Sequence, residues 1–452
     1  MADTARRKKI LVFCRFYLAK DFRNNFESLG QDYDFHYLTD GHSPGTQDTR
    51  KIFYAAFAEQ KRSDVLTEDD VDQIISRCRY CRNIDRELAE RQVHAMAVAA
   101  AHFLDAAQPD FVISHMIDDY VTHIFAEIAA KRGIRFAGYC FSYFPGVVQV
   151  TQGWNGKPFD VREPARQEVE QILEAISQRV YRQNYLQNTG YSFAQHVKLV
   201  AKHYLKYPVF KLRSLFERDP YNLHYRIIPY YADRRRLRDY PRPRDFSGDW
   251  IDRIHTARAA HPDRPILYMP LAYSPESTID YWIADRRAID YEAFTLKLLA
   301  ELAKSAIVLV KEHLHMQGIR SPQFHRAIGS ISGVISVHPE AFSNDLLERA
   351  DAVIVGGGSV GIEATIRGKP LLSYAPDVYW FAASRAAAIS IDDIHLWSKQ
   401  ARDHIASHVP LTADERFDFI RRCLASTVRP RPGSKSWPLI DLDDLRQLLD
   451  RG

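Results

Sequence analysis

Short apolar runs alternate with longer amphipathic stretches along most of the chain. Lys9–Phe13 (KILVF) predicts a short buried strand, and residues 18–29 read as a helix closed by Gly30. Asp34–Asp40 (DFHYLTD) predicts a second strand. An Ala-rich helix is expected over 85–107, ended by the Gln108-Pro109 break. Asp110–His115 (DFVISH) reads as a strand, 120–132 as a helix stopped by Gly133, and Ile134–Cys140 (IRFAGYC) as the next strand. The second half predicts five more strands: Pro265–Ala272, Ala306–Glu312, Gly333–Pro339, Asp351–Gly357 and Pro370–Tyr374. Helices are expected between them, notably over 291–304 and 343–349. Strand–helix–strand repetition of this kind is the mark of an α/β protein, and the handedness of its crossovers leads to doubly wound parallel sheets. The expected architecture is two Rossmann-like domains facing a cleft. They span residues 1–160 and 261–430, joined by a helical connecting region at 161–260 and followed by a helical tail at 431–452.

Composition narrows the class. With 452 residues, 46% hydrophobic and 26% charged, the chain is an ordinary globular protein, not a disordered, collagenous or coiled-coil one. No apolar run reaches the roughly 18 residues of a spanning helix. The basic start, Met1–Lys9, leads into too few apolar residues for a secretory signal. Five cysteines, at 14, 78, 81, 140 and 423, form no disulfide framework, so a cytoplasmic location is expected. Cys78 and Cys81 are a lone C-x-x-C with no second pair, which points to neither a metal nor a redox site. The charge is uneven. Lys198–Arg238 carries 11 Lys+Arg against 3 Asp+Glu, interleaved with 8 Tyr or Phe, whereas the whole chain sums to only +4. No nucleic-acid motif accompanies this stretch. A solvated face is one reading of it. The other is attachment to an anionic membrane surface, where aromatic rings favour the headgroup level.

Four segments could carry chemistry. In Asp351–Tyr374 (DAVIVGGGSVGIEATIRGKPLLSY), a strand runs through three glycines and Ser359 into a helix. Gly357 and Gly358 let a backbone approach a ligand closely, and the helix N-terminus suits a phosphate. Glu363, one turn further on, could take two ribose hydroxyls; alternatively, the glycines only make a tight turn. In Val308–Arg320 (VLVKEHLHMQGIR), Lys311, Glu312, His313 and His315 lie just past a strand end, where open α/β sheets bind ligands. Lys311 and His313 could contact a phosphate, and Arg320 could add charge-assisted bonds. Glu312 could instead form a buried ion pair. Two histidines and one glutamate at this spacing do not make a zinc site. In Pro270–Trp282, Glu276 and Ser277 open a helix after a strand, ready to cap it or to hold phosphate. In Ser114–His123, the adjacent Asp118 and Asp119 could cap the helix at Tyr120 or supply a base for an acceptor hydroxyl.

The succession PLAYSPEST, VLVKEHLHMQGIR and GGGSVGIEATIRGKPLLSY resembles bacterial capsule and surface-polysaccharide biosynthesis glycosyltransferases of the GT-B architecture. The resemblance extends to PDFVISHMIDDYVTHIFAEIAAKRGI in the first half. It implies an acceptor-side first domain and a second domain holding the nucleotide of an activated sugar, with a CMP-linked acidic sugar favoured as donor. It also implies a glycan or glycolipid acceptor. With no metal motif in the sequence, neither a metal nor another cofactor is expected, and the basic-aromatic stretch suggests work at the inner face of the cell membrane. His313 is similar to the histidine that faces the donor phosphate in related sialyl- and Kdo-type transferases, although Leu314 stands where those motifs carry proline. Ser359 resembles the hydroxyl that meets the same phosphate. Asp118 or Asp119 resembles the acid from which the base is drawn. A nucleotide-sugar epimerase or hydrolase on the same fold, or a non-catalytic polysaccharide assembly protein, is the alternative.

Overall fold

A computed structural model of the chain describes residues 6–179, scattered positions between 181 and 212, and then 250–274, 276–313, 316, 320–339, 341–431 and 439–451. The chain divides into two compact units. One comprises residues 1–164 together with the end of the chain, 423–452. The other is drawn chiefly from 165–422. The C-terminal stretch therefore does not trail the second half, as the boundary expected at 430 implied. The basic-aromatic segment 198–238 lies, but for a few positions, outside the described residues, as do His315 and Leu314.

In the first unit, β1 (Lys8–Cys14), β2 (Tyr33–Thr39), β3 (Gln47–Asp48), β4 (Phe111–His115) and β5 (Arg135–Phe141) are parallel, in the order β3-β2-β1-β4-β5. β6 (Val148–Gln152), β7 (Lys157–Pro158) and the chain's last strand, β14 (Thr427–Val428), extend the sheet antiparallel beyond β5. Ile10 to Cys14 are all buried, as a parallel strand covered on both faces requires. The helix Arg86–Ala107 starts where Asp85 accepts the N–H of Leu88 at 3.1 Å. It stops where Gln108 takes a left-handed conformation ahead of Pro109.

The return of the chain end follows from burial. Val428, Ile440, Leu445, Leu448 and Leu449 join Ile10, Val12 and Phe111 in one apolar core. The helix Leu442–Arg451 buries its leucine face, Leu445, Leu448 and Leu449, in this core. Polar bonds set its position: Arg162 donates to the Thr427 carbonyl at 3.0 Å, and Asp444 accepts from the Arg429 guanidinium at 2.6 Å.

Among the described residues, the second unit holds a six-stranded sheet with every pairing parallel. β8 (Ile266–Pro270), β9 (Ile307–Lys311), β10 (Val334–Val337), β11 (Ala352–Val355), β12 (Leu371–Ser373) and β13 (Ala387–Ala388) lie in the order β10-β9-β8-β11-β12-β13. Both units are thus Rossmann-like, and each sheet reverses its order of strand addition once. The reversal falls between β1 and β4 in the first unit and between β8 and β11 in the second.

Leu448 is fully buried, so Leu448→Ala should cost about 2–5 kcal/mol of stability in the first unit. Urea denaturation followed by circular dichroism measures it. An unchanged midpoint would mean that the C-terminal helix is not part of this core.

Candidate functional site

The carboxyl ends of β9, β8 and β11 are neighbours in the second sheet, and most of the candidate residues follow them directly. Past β8, Glu276 precedes the short helix Ser277–Asp280 and its carboxylate accepts the Thr278 hydroxyl at 2.7 Å. The Ser277 hydroxyl is buried and meets no hydrogen-bond partner among the described residues. Past β11, Gly358 takes φ 141°, a conformation that L side chains rarely adopt, and the helix Ser359–Ile366 begins without a side-chain cap. Its first N–H groups therefore keep their partial positive charge for a ligand. Not all the glycines serve that approach. A Cβ on Gly356 would strike the Tyr374 ring at 2.6 Å, and one on Gly361 would strike Trp380 at 2.6 Å. Those two answer to packing.

Past β9, the segment is held by a buried ion pair. Arg320 Nε lies 2.7 Å from Glu312 Oε2, and both side chains are almost fully buried. Glu312 Oε1 also accepts the His313 N–H at 2.6 Å, and His325 lies 3.3 Å from its other oxygen. Burial would raise the Glu312 carboxyl, but Arg320 and then His325 outweigh it and hold it at about 2. Arg320 also donates to the Ala272 carbonyl in the loop after β8. Expected as a phosphate contact, Arg320 is instead committed inside the unit: its charge is spent on Glu312, which fixes the backbone of His313. Losing one partner of such a pair strands a buried charge, typically at about 3–5 kcal/mol. The His313 ring, half-buried, meets Tyr273 edge to face at 5.6 Å.

Lys311 ends β9 and donates to the Ser343 hydroxyl at 3.0 Å; Tyr268 of β8 reaches the same hydroxyl at 3.5 Å. Burial lowers the Lys311 amine to about 8, partly offset by Glu363. Burial likewise raises the Glu363 carboxyl to about 7, against the pull of Arg367, Lys311 and a hydrogen bond from Ser359. Ser343 and Tyr268 escaped sequence reading because both look like ordinary element residues; only strand adjacency brings them to Lys311.

In the first unit, the structure separates the two aspartates. Asp119 is buried and caps the helix Tyr120–Lys131, its Oδ1 accepting the N–H groups of Val121 at 2.8 Å and Thr122 at 2.9 Å. Its other oxygen is ion-paired with Arg15. Asp118 is only part-buried, and its Oδ1 meets no hydrogen-bond partner among the described residues. Arg15 follows β1 and also bonds Asp40, at the end of β2, at 2.6 Å. His115 ends β4. Among the described residues, His115, Asp118 and Asp119 bring donor atoms within 4.8 Å of one another. Arg15, Asp40 and His115 were missed as site residues; their one signal was a polar residue at the carboxyl end of an apolar strand.

No protein-family model matches the chain, and no curated protein matches it. Solved structures do. One is the KpsC β-Kdo 2,4 transferase of Thermosulfurimonas dismutans, at 12% identity over 75% of this chain and 87% of that one, with a TM-score of 0.32. Another is the UDP-GlcNAc 2-epimerase of Neisseria meningitidis bound to UDP-GlcNAc, at 11% identity over 93% and 97%, TM-score 0.26. A third is the Methanocaldococcus jannaschii UDP-GlcNAc 2-epimerase with UDP-GlcNAc and UDP, at 12% identity over 92% and 99%, TM-score 0.26. At such values the fold assignment rests on the two sheets themselves. No helix among the described residues is long and apolar enough to cross a membrane.

Glu363 makes stability depend on pH. It titrates at about 7 in the fold against an ordinary 4.5, so between these values the folded chain keeps a proton that the unfolded chain has lost. Its contribution is therefore fully present below pH 4.5 and is lost as the pH rises through 7, a change on the order of 3 kcal/mol. Lys311, at about 8, titrates above that window. Glu363→Gln should flatten the profile between pH 5 and 7.5, read by urea midpoints. Parallel profiles for the two proteins would contradict the assignment.

Proposed function

We propose that the protein is a glycosyltransferase whose second unit holds a nucleotide-activated sugar and whose first unit supplies the base for the acceptor hydroxyl. The observation that carries this reading is the uncapped helix N-terminus at Ser359. It stands at the strand-order reversal of an all-parallel sheet, with Lys311 at the end of the next strand but one and His313 just past it. On this reading the phosphate lies against the Ser359 helix, with Lys311, His313 and the hydroxyls of Ser359 and Ser277 meeting its charge, while Gly357 and Gly358 let it approach. Glu363 and Glu276 take hydroxyls of the nucleotide. The motif resemblance favours a CMP-linked acidic sugar as donor and a growing capsule or surface polysaccharide as acceptor.

The bond from the anomeric carbon to the phosphate oxygen breaks, and the electron pair leaves with the nucleotide. Donors fixed before the reaction stabilise that charge as it develops. The acceptor oxygen bonds to the anomeric carbon and gives its proton to the Asp118 carboxylate. Asp119, spent on its helix cap and on Arg15, positions rather than reacts. Arg320 and Glu312 position His313 from behind.

His313→Ala and Ser359→Ala should each lower nucleotide release from the preferred donor by about 10²–10³-fold, the usual effect of deleting one transition-state donor, with circular dichroism unchanged. The assay presents CMP-, UDP- and GDP-sugars with surface glycan. Full activity in both variants would refute the site. Conversion of the sugar with its nucleotide still attached would assign an epimerase, and binding without turnover a polysaccharide assembly protein. The same reading places the chain at an anionic membrane face through 198–238. Flotation with anionic vesicles should then be lost at high salt, and failure to float at low salt would refute this placement.

A further inference from the structure

Beside the amino end of β12 stand two histidines that the candidate reaction does not use. His404 lies in the last turn of the helix Trp397–Ser407, and His408 caps that helix four residues on. Their ring centroids are 5.5 Å apart, with the ring planes at 68°. His404 is hydrogen-bonded to the carbonyl of Leu371, the first residue of β12, and His408 to that of Gly368 in the turn before it. Nε2 of each ring is shielded from solvent and meets no hydrogen-bond partner among the described residues, so Nδ1 makes both of those bonds.

A neutral imidazole that donates through Nδ1 keeps a lone pair on Nε2. Burial lowers both imidazoles below the ordinary 6.5, so the rings are neutral at pH 7. The pair is therefore two acceptors side by side, and neither Nε2 carries a hydrogen to satisfy the other. Either a metal ion or a water donating twice could serve both. Spacing favours the ion. A metal–nitrogen bond of about 2.1 Å puts each ring centroid about 3.2 Å from the metal, and two such rings at a tetrahedral angle stand about 5.2 Å apart. Hydrogen bonds of about 2.9 Å to one water would set the centroids about 6 Å apart or more. A histidine whose other N–H is anchored on a backbone carbonyl is also the usual form of a metal ligand. The carbonyls at the end of the helix carry partial negative charge, which favours a cation there. Arg385 is the cation that acts on His408, and it is committed to Glu415 and to the carbonyls of Val409 and Pro410. Among the described residues no third His, Cys, Asp or Glu joins the pair, so water or a small ligand would complete the coordination.

We infer that His404 and His408 bind one borderline divalent cation of the Zn²⁺ or Cu²⁺ class through Nε2, tying the end of this helix to the segment 368–371. The candidate nucleotide residues follow the carboxyl ends of their strands, whereas this pair sits at an amino end, so the inference is independent of the transferase reading. Zinc chloride titrated into the full chain near neutral pH and followed by calorimetry tests it. Binding should be saturable and weaken at least about tenfold in His404→Asn and in His408→Asn, the least that even an outer-shell loss costs. Asparagine keeps an N–H near the Nδ1 position and removes Nε2, so circular dichroism should not change. With Cu²⁺ as probe, electron paramagnetic resonance should show coupling to two imidazole nitrogens, and to one in either variant. His115→Ala should leave both readings as they are. No zinc binding, or equal binding in the unaltered protein and both asparagine variants, overturns the site. Loss of binding in His115→Ala alone also overturns it, and moves the ion to the first unit.

Discussion

When a parallel sheet grows outward from its first strand in both directions, the chain must reverse its order of addition once. The crossovers on the two sides of that point then leave toward opposite faces, and a crevice opens outside the carboxyl ends of the two central strands. Both units of this protein are built on that constraint. In each, loops that would otherwise be ordinary connections end at one edge, and their polar residues share a small volume although dozens of residues separate them along the chain.

Polar groups gathered at such an edge must be kept apart from the core and held still. Two buried charge assemblies do this. In the second unit Arg320 and Glu312 neutralise each other, and Glu312 spends a lone pair on the backbone of His313. In the first, Arg15 ties the end of β2 to the cap of the helix after β4 through Asp40 and Asp119. Each assembly is costly to bury and yields geometry more than stability. Each also stands beside a side chain given a chemical role here, His313 in one case and Asp118 in the other.

Much of this was legible from local pattern. Apolar runs such as DFVISH and AIVLVKE name their strands because a strand buried on both faces must be apolar throughout, and Asp85 and Gln108-Pro109 mark helix ends by chemistry confined to a few residues. The candidates Lys311, His313 and Ser359 were legible for the same reason, standing immediately after such runs. Arg320 was legible only as a charge. Its commitment to Glu312 depends on an eight-residue excursion whose path the sequence does not state. The C-terminal leucines showed a helix face but not which core would take it, because any apolar surface satisfies burial.

The sequence by itself determined the two α/β halves, the strands and the residues at their ends, since these follow from hydrophobic period and capping within short windows. Tertiary structure alone decided that residues 423–452 belong with the first unit and that Asp119 caps while Asp118 does not. It also decided that Lys311 bonds Ser343 and that His115 and Asp118 bring polar atoms within 4.8 Å of one another. The physical reason is the same in each case. Burial, ion pairing and pKa depend on which strands become neighbours, and neighbours in a sheet are distant in the chain.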